Sequence, residues 1–531
     1  MPHHFPEPPR ARRFCLSPGA ALLPFLSVAL ADARAQVYPL APDWSSADMQ
    51  VSTGGAFADI NGDGWLDFVV SNGNDISLQR VVCYFNNGVG QLQASPGWQS
   101  AGTAYHGHCD VADVNGDGWP DVAVAILLAQ GGTSARLYLN NGGTLSTTPA
   151  WSAPVSGDSF GVAFGDMNGD GRPDLAVASG EAYNNVPKQN CVYLNVNGAL
   201  STTVSWQTAT PRNFNNCLWL DADNDGRLDL CYTGSNTDTF VFRNLGSTLE
   251  TVPSWRTNDS RNQFALMAAS GDVTGDGRRE LFLADNNQLF SGTGRFRQYN
   301  GQVAGNFSQT ATWTYNEGYT AAVALGDINN DGAQDLCTGE WFGRTRYFLN
   351  GGSGLPATPT WTNTGTSTTT VEKIVLGDID NASLKTRVAD FAAAGSRRLF
   401  WLPDTQLQAV FSVTVDGSEL PRTQWCASRE SGWVSVGVTP VSSVRVVYAR
   451  SRSLDMGVTN WDDNRPNQLY YNTLPAPCPA DFDDNTFVNG DDFDSFVQEF
   501  VDGGPTADFD SNGFVNGIDF DAFTAHFIAG C

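Results

Sequence analysis

The sequence predicts a mainly β fold: a ring of repeated four-stranded sheets forming a β-propeller, followed by a small helical module. Three observations carry this. An acidic pattern, Asp-x-[Asp/Asn/Thr]-x-Asp-Gly-x-x-[Asp/Glu], starts at Asp59, Asp113, Asp166, Asp221, Asp272 and Asp327, in steps of 54, 53, 55, 51 and 55 residues. A fixed period of this length is the mark of a repeat architecture. One tryptophan also recurs per period, at Trp44, Trp98, Trp151, Trp206, Trp255, Trp313 and Trp361. From residue 478 the chain becomes Asp- and Phe-rich and loses tryptophan altogether.

Each acidic loop lies between short apolar runs, as in Gly161-Val-Ala-Phe-Gly165 before the third and Leu175-Ala-Val-Ala178 after it. Runs of this length between turn residues read as buried strands, so each loop is a hairpin tip. A third strand ends in a recurring Asn turn, at Tyr84-Phe-Asn-Asn-Gly88, Tyr138-Leu-Asn-Asn-Gly142, Tyr193-Leu-Asn195, Phe242-Arg-Asn244 and Tyr347-Phe-Leu-Asn350, and the tryptophan marks a fourth. Four strands per repeat, arranged radially, leave only short edges unpaired. Leu420–Trp425 echoes Leu355–Trp361, and Leu454–Asn460 with Leu469–Asn472 echoes the second and third strands of earlier units. Eight blades over 36–475 are therefore expected, with Trp44 closing the last. The alternative is seven blades over 36–402 and a separate β domain over 403–475. The tryptophans read as packing residues between blades.

The tips carry oxygen donors at positions one, three, five and nine. They are Asp59/Asn61/Asp63/Asp67, Asp113/Asn115/Asp117/Asp121, Asp166/Asn168/Asp170/Asp174, Asp221/Asp223/Asp225/Asp229, Asp272/Thr274/Asp276/Glu280 and Asp327/Asn329/Asp331/Asp335. Ca²⁺ takes six to eight oxygen ligands, which alternate residues of a tight loop can supply. So many carboxylates would repel one another without a cation. A seventh copy, Asp378-Ile-Asp380-Asn381-Ala382, lacks the third ligand and the glycine and is expected to be empty or weak; an eighth, at Leu454-Asp455, reads as a plain hairpin.

With its flanking strands this loop resembles the FG-GAP/VCBS repeat of integrin α-chain propellers and many secreted bacterial proteins, over about 44–472. The resemblance implies calcium at positions one, three, five and nine. Thr274 and Glu280 depart from the pattern.

The C-terminal residues 478–531 hold two further acidic loops, Asp481/Asp483/Asn485/Asp492 and Asp508/Asp510/Asn512/Asp519. Each leads into a segment with phenylalanines at helical spacing. This stretch resembles a dockerin, the paired calcium-loop module that docks on cohesin domains, and the resemblance implies those eight residues as ligands and a cohesin-like partner. Thr486 replaces the usual turn glycine in the first loop. A calcium-stabilised tail without such a partner is the alternative.

At the other end, Arg10, Arg12 and Arg13 precede an apolar stretch and an Ala33-Arg34-Ala35 site, which reads as a secretory leader over 1–35. Beyond it no run is long enough to span a membrane. The formal charge is −26, which disfavours nucleic acid. Cys83/Cys109 and Cys191/Cys217 straddle Trp98 and Trp206 with the same spacing, suggesting two equivalent disulfides, and Cys478/Cys531 could clasp the C-terminal module. A Cys217–Cys231 bridge competes. Cys231, Cys337 and Cys426 are otherwise expected as buried thiols.

No phosphate-cradling loop or HExxH motif occurs. His106 and His108 read as a solvated pair at a strand entrance. On the face opposite the tips, Tyr105, His106, Phe214 and Tyr319 are the candidate ligand contacts. The function expected is a secreted or cell-surface calcium-stabilised scaffold that binds an extracellular protein or glycan. The alternative is a polysaccharide-active, lyase-like enzyme.

Overall fold

The computed structural model describes residues 36–530 except 181–184, 259–262, 291, 304, 364–368, 463, 476–477, 484–486 and 510–513. The expected leader, Asn485, Asp510, Asn512 and Cys531 lie outside the described residues.

Strands Ser52–Ala58, Asp67–Asn72, Val82–Tyr84 and Trp98–Gln99 pair antiparallel in chain order and make sheet one. Sheets two to five repeat that order, starting at His106–Ala112, Ser159–Gly165, Phe214–Leu220 and Ala265–Gly271. Sheet six runs from Tyr319–Gly326 to Trp361–Thr362, and an extra pairing of Asp335–Gly343 joins it to the next sheet. In sheet seven, Thr369–Gly377, Asp455–Asn460 and Gln468–Tyr470 are completed by the N-terminal strand Trp44–Ser45, with Trp44 opposite Leu469. First strands of successive sheets lie side by side, and that of sheet seven lies against that of sheet one. Every sheet thus places its acidic tip at one end of the ring.

The expected eighth unit is corrected here. Leu454–Asn472 pairs with Thr369–Gly377 inside sheet seven, so the seventh and eighth echoes are two halves of one sheet. Between them, 384–451 leaves the ring and forms two small sheets of its own, Leu384–Ala392/Ser443–Ser451/Ala409–Val415/Ser418–Glu419 and Leu399–Trp401/Trp433–Val436/Trp425–Ser428. Phe400, Leu407, Val413, Trp425 and Val446 make its separate core. This inserted unit lies across the tip-bearing end of the ring. Arg398 donates to Gly169 O (2.6 Å), Gln406 to Leu325 O (2.9 Å), and Arg279 of the ring donates back to Ser431 O (3.0 Å).

Neighbouring sheets are held by repeated polar staples within an apolar layer. The indole N–H of Trp98, Trp151, Trp206, Trp255 and Trp313 donates to a carbonyl of the following sheet, at Leu145, Ser201, Leu249, Phe307 and Pro356. These tryptophans are packing residues, as expected. Near the axis the first strands approach backbone to backbone: a side chain at Gly107 would strike the Phe160 carbonyl.

The two expected disulfides do not form. Cys83, Cys109, Cys191 and Cys217 are buried free thiols, as are Cys231, Cys337 and Cys426. Cys83 sits on the third strand of sheet one and Cys109 on the first strand of sheet two, and both pack in the same apolar layer. Identical spacing around the tryptophan reflects the repeat rather than a bond.

After the ring come helices α1, Gly490–Asp502, and α2, Gly517–Ala529. Phe496 and Phe523 stack at 3.9 Å in their shared core. Each helix opens with a capping box, Asn489 with Asp492 and Asn516 with Asp519, which satisfies its otherwise orphaned amides.

Candidate metal centres

The tips are wired alike. In the first, Asp59 Oδ1 accepts from the Gly62 and Asp63 amides and Oδ2 from the Gly64 amide, while Asn61 Oδ1 accepts from Asp63 N. The loop closes only because Gly64 adopts φ +86°, a left-handed conformation costly for other residues. Side chains at positions one, three and five are thereby gathered on one side. In the fourth tip, carboxylate oxygens of Asp221, Asp223 and Asp225 all lie within 4.8 Å of one another.

The third and sixth tips repeat the loop but not that three-acid cluster. In the third, the Asp170 amide donates to Asp166 Oδ1 and to Asn168 Oδ1, both at 3.0 Å. In the sixth, the Asp331 amide donates to Asp327 Oδ1 (3.0 Å) and to Asn329 Oδ1 (3.2 Å). The position-three amide group is spent inside the loop as well: Asn168 Nδ2 donates to Asp170 Oδ2 (3.1 Å) and Asn329 Nδ2 to Asp331 Oδ2 (2.9 Å). Asn61 and Asn115 hold Asp63 and Asp117 in the same way. The sequence reading has Asn168, Asp170, Asn329 and Asp331 converging on one point with their position-one acids. Asparagine brings no carboxylate, so the third and sixth tips hold two acids at positions one and five where the fourth holds three at one, three and five. The physical reason is the residue type at position three. Asp223 adds a third charge to its tip, whereas Asn168 and Asn329 each bring a neutral amide that donates a hydrogen bond to Asp170 or Asp331.

The acid at position nine does a further job. Asp67, Asp121, Asp174, Asp229 and Asp335 are fully buried. One oxygen of each accepts the amide of position two, and the other accepts the amide of the Asn that ends the third strand, all at 2.7–3.0 Å. That Asn donates its side-chain N–H to the position-two carbonyl of the preceding sheet: Asn140 to Ile60, Asn195 to Val114, Asn244 to Met167 and Asn350 to Val273. Asn86 of sheet one reaches Ile379 of sheet seven in the same way, and Asn472 reaches Ile328. Sheet five departs: Glu280 takes the position-nine place and accepts from the Thr274 amide too, and the backbone N–H of Asn306 serves Ala222 O instead.

Sheet seven keeps this wiring across its interruption. Asp455 accepts from Ile379 N (2.8 Å) and Asn472 N (2.8 Å), as Asp67 does from Ile60 and Asn86. Asp378, Asp380 and Asp455 form one carboxylate cluster, although 75 residues separate Asp380 from Asp455. Ala382 still leaves position five without a donor.

An oxygen-only donor set of this kind fits a hard divalent cation. The electrostatics agree. Burial first, then neighbouring loop carboxylates, pushes Asp67 and Asp121 up to about 7 and Asp229 and Asp335 up to about 8. A cation bound there would supply the positive charge that such a cluster lacks. In the helical module Asp481, Asp483 and Asp492 also cluster, and Asp508 and Asp519 are buried.

The opposite end of the ring differs from expectation. His106 and Phe214 are fully buried, the latter stacked on Tyr232 at 5.0 Å, whereas Tyr105 is half-buried and Tyr319 is at the surface. His106 and His108 are not a solvated pair: His106 Nδ1 is 2.8 Å from Asn72 O, and His108 Nδ1 is 3.2 Å from Asn216 Nδ2 across the axis. His108 Nε2 lies 4.0 Å from Glu372 Oε1, and Trp341 Nε1 donates to Glu372 Oε2 (2.5 Å). Burial pushes Glu372 up to about 8, and burial with Lys373 nearby lowers His108 to about 3. Next to this cluster a cavity of about 250 Å³ opens at the strand ends away from the tips, lined by Phe160, Phe264, Trp341 and Trp461 with Asp75 and Asp158. Trp341 and Trp461 escaped the sequence reading. Their signal was that both fall outside the one-per-period tryptophan series.

Four stretches, 59–124, 125–177, 221–283 and 272–338, match the family profile of the FG-GAP-like repeat. These stretches of the chain thus carry FG-GAP-like repeats. Over 140 residues the chain is 29% identical to integrin alpha-4 of Xenopus laevis, a match covering 23% of this chain and 14% of the integrin. The chain therefore spans far less than two thirds of that relative's length. Among solved structures it is similar to BBS1N in complex with ARL6DN. A mercury-soaked crystal gives a TM-score of 0.45 and 8% identity over 82% of this chain and 97% of that one. A lead-soaked crystal gives 0.42 and 10% over 63% and 89%. Likeness at that level bears no functional weight. No helix among the described residues is long and apolar enough to cross a membrane.

Proposed function

We propose that the chain is a secreted, calcium-stabilised propeller of seven blades that serves as a scaffold for binding an extracellular protein or glycan. In this reading the leader is 1–35, the ring is 36–475 with 384–451 inserted, and 478–531 is a dockerin-like tether for a cohesin-like partner. Cys478, whose sulfur is disulfide-bonded, is read as clasped to Cys531. Calcium is held by the donors at positions one, three and five of the intact tips left open by the inserted unit, with the position-nine acids at their base. Where position three is Asn, as at Asn168 and Asn329, its side-chain oxygen is the donor and its N–H₂ steadies the acid at position five.

The observation that carries the proposal is the division of the ring into two ends. Clustered oxygens at one end suit cations, and the aromatic cavity with Trp341 and Trp461 at the other suits a ligand. Large apolar pockets with a few polar groups are the usual place for one. A glycan array and a panel of immobilised extracellular matrix proteins, probed with wild type and W461A, test it. Binding that W461A weakens supports the reading. Calcium-dependent release of unsaturated sugars from a polysaccharide would replace it with the lyase-like alternative.

A further inference from the structure

The inserted unit changes what one of the tips can bind; the inference rests on the tips being calcium loops. A carboxylate offers about four lone-pair positions. At Asp59 three are taken, by the amides of Gly62, Asp63 and Gly64, and at Asp272 three are taken by those of Gly275, Asp276 and Gly277. Each keeps one on Oδ2. At Asp113 the amides of Gly116, Asp117 and Gly118 take the same three, and Arg422 Nε of the inserted unit takes the fourth at 3.1 Å from Oδ2.

Arg422 is well held in that position. Its guanidinium lies 3.8 Å over the Trp425 ring, and Thr423 packs so tightly on Gly116 that a side chain there would strike it. On the carboxylate side the pair is shielded, Asp113 being 9% exposed. A full positive charge with good geometry thus sits where the free lone pair of the other tips would meet a cation.

We propose that Arg422 stands in for the cation at the Asp113 tip, so that calcium and the docked inserted unit compete for this carboxylate. Two hydroxyls of the same unit reach other position-one acids, Ser435 Oγ to Asp166 Oδ2 (2.7 Å) and Ser451 Oγ to Asp378 Oδ2 (2.6 Å). A hydroxyl carries no charge and can turn its oxygen toward a cation. Arg422 alone of the three excludes one. By linkage, a cation forced into the Asp113 tip weakens the seating of the inserted unit by the same factor.

Calorimetric calcium titration of the stripped full-length chain tests this with D113N, D272N, R422Q and R422K. Wild type and D113N are expected to bind equal numbers of ions and D272N one fewer. R422Q should gain one ion, bound at least about tenfold more tightly than wild type binds at that tip, while R422K gains none. A loss of one ion in D113N, with no gain in R422Q, overturns the proposal and leaves the calcium reading intact. If R422Q fails to fold, D113N against D272N still decides. No uptake at any tip removes both.

Discussion

Sheets one and seven use the same wiring on very different chain. In sheet one, eight residues separate the tip's first acid, Asp59, from its last, Asp67; in sheet seven, 77 separate Asp378 from Asp455. Yet Asp67 and Asp455 each bind the position-two amide and the amide of an Asn beyond the third strand. What defines a blade is therefore a buried carboxylate bridging two backbone amides, not an unbroken loop. An unpaired buried amide costs more than the insertion does, since lengthening a loop carries only a slowly growing entropic cost.

The largest expected effect breaks that bridge. Asp67→Ala leaves two buried amides unpaired and should cost about 3 kcal/mol. Asp455→Ala should cost the same, because the contacts are the same. Urea denaturation measures both, and a D455A value near zero would show that the two sheets are not equivalent. A smaller effect tests the staples between sheets. Trp98→Phe removes the indole donor to Leu145 O and should cost about 1–2 kcal/mol. Trp44 and Trp361 have no hydrogen-bond partner for the indole nitrogen, so W361F should cost less than W98F in the same assay.

A third effect is a pH dependence set at the axis. Glu372 rises from 4.5 to about 8 on folding, so the native state holds a proton that the unfolded state has released. Its contribution is complete below pH 4.5 and is lost as pH rises through about 8. His108 falls from 6.5 to about 3, so its contribution is present above 6.5 and is lost on acidification toward 3. Between pH 6.5 and 8 only the glutamate contributes of these two, and stability should decline with rising pH by linkage. With calcium bound at the tips, E372Q should make that decline shallower in melting curves recorded across this window.

The period of the acidic tips and the outer tryptophans made the ring legible in the sequence, because both serve contacts made once per blade. The split of sheet seven was not legible. Leu420–Trp425 mimics the Leu355–Trp361 run, and no spacing rule connects Asp378 to an acid 77 residues later. The cysteine pairs misled for a related reason, since positions equivalent by repeat face the same layer whether or not they bond. His106 and His108 looked solvated because nothing in Tyr-His-Gly-His shows that Gly107 lets the neighbouring strand pass directly over it. Among candidate ligands, positions one, three and five were chosen by their chemistry. That Asn168 and Asn329 would turn their amide groups onto Asp170 and Asp331 was not visible in the pattern, which treats Asp and Asn alike as oxygen donors. The second role of position nine emerged only with the amides around it.

The central claim is that cations at the tips hold the ring together. Extracellular calcium modules with Kd near 10⁻⁴ M gain about 1.4 kcal/mol per site at roughly millimolar calcium. Several such sites together rival the about 5–15 kcal/mol stability of a typical domain. Scanning calorimetry of the calcium-loaded and chelator-stripped chain is the direct measurement. The account predicts a clearly lower melting temperature on stripping, restored by calcium; identical melting of the two preparations would contradict it.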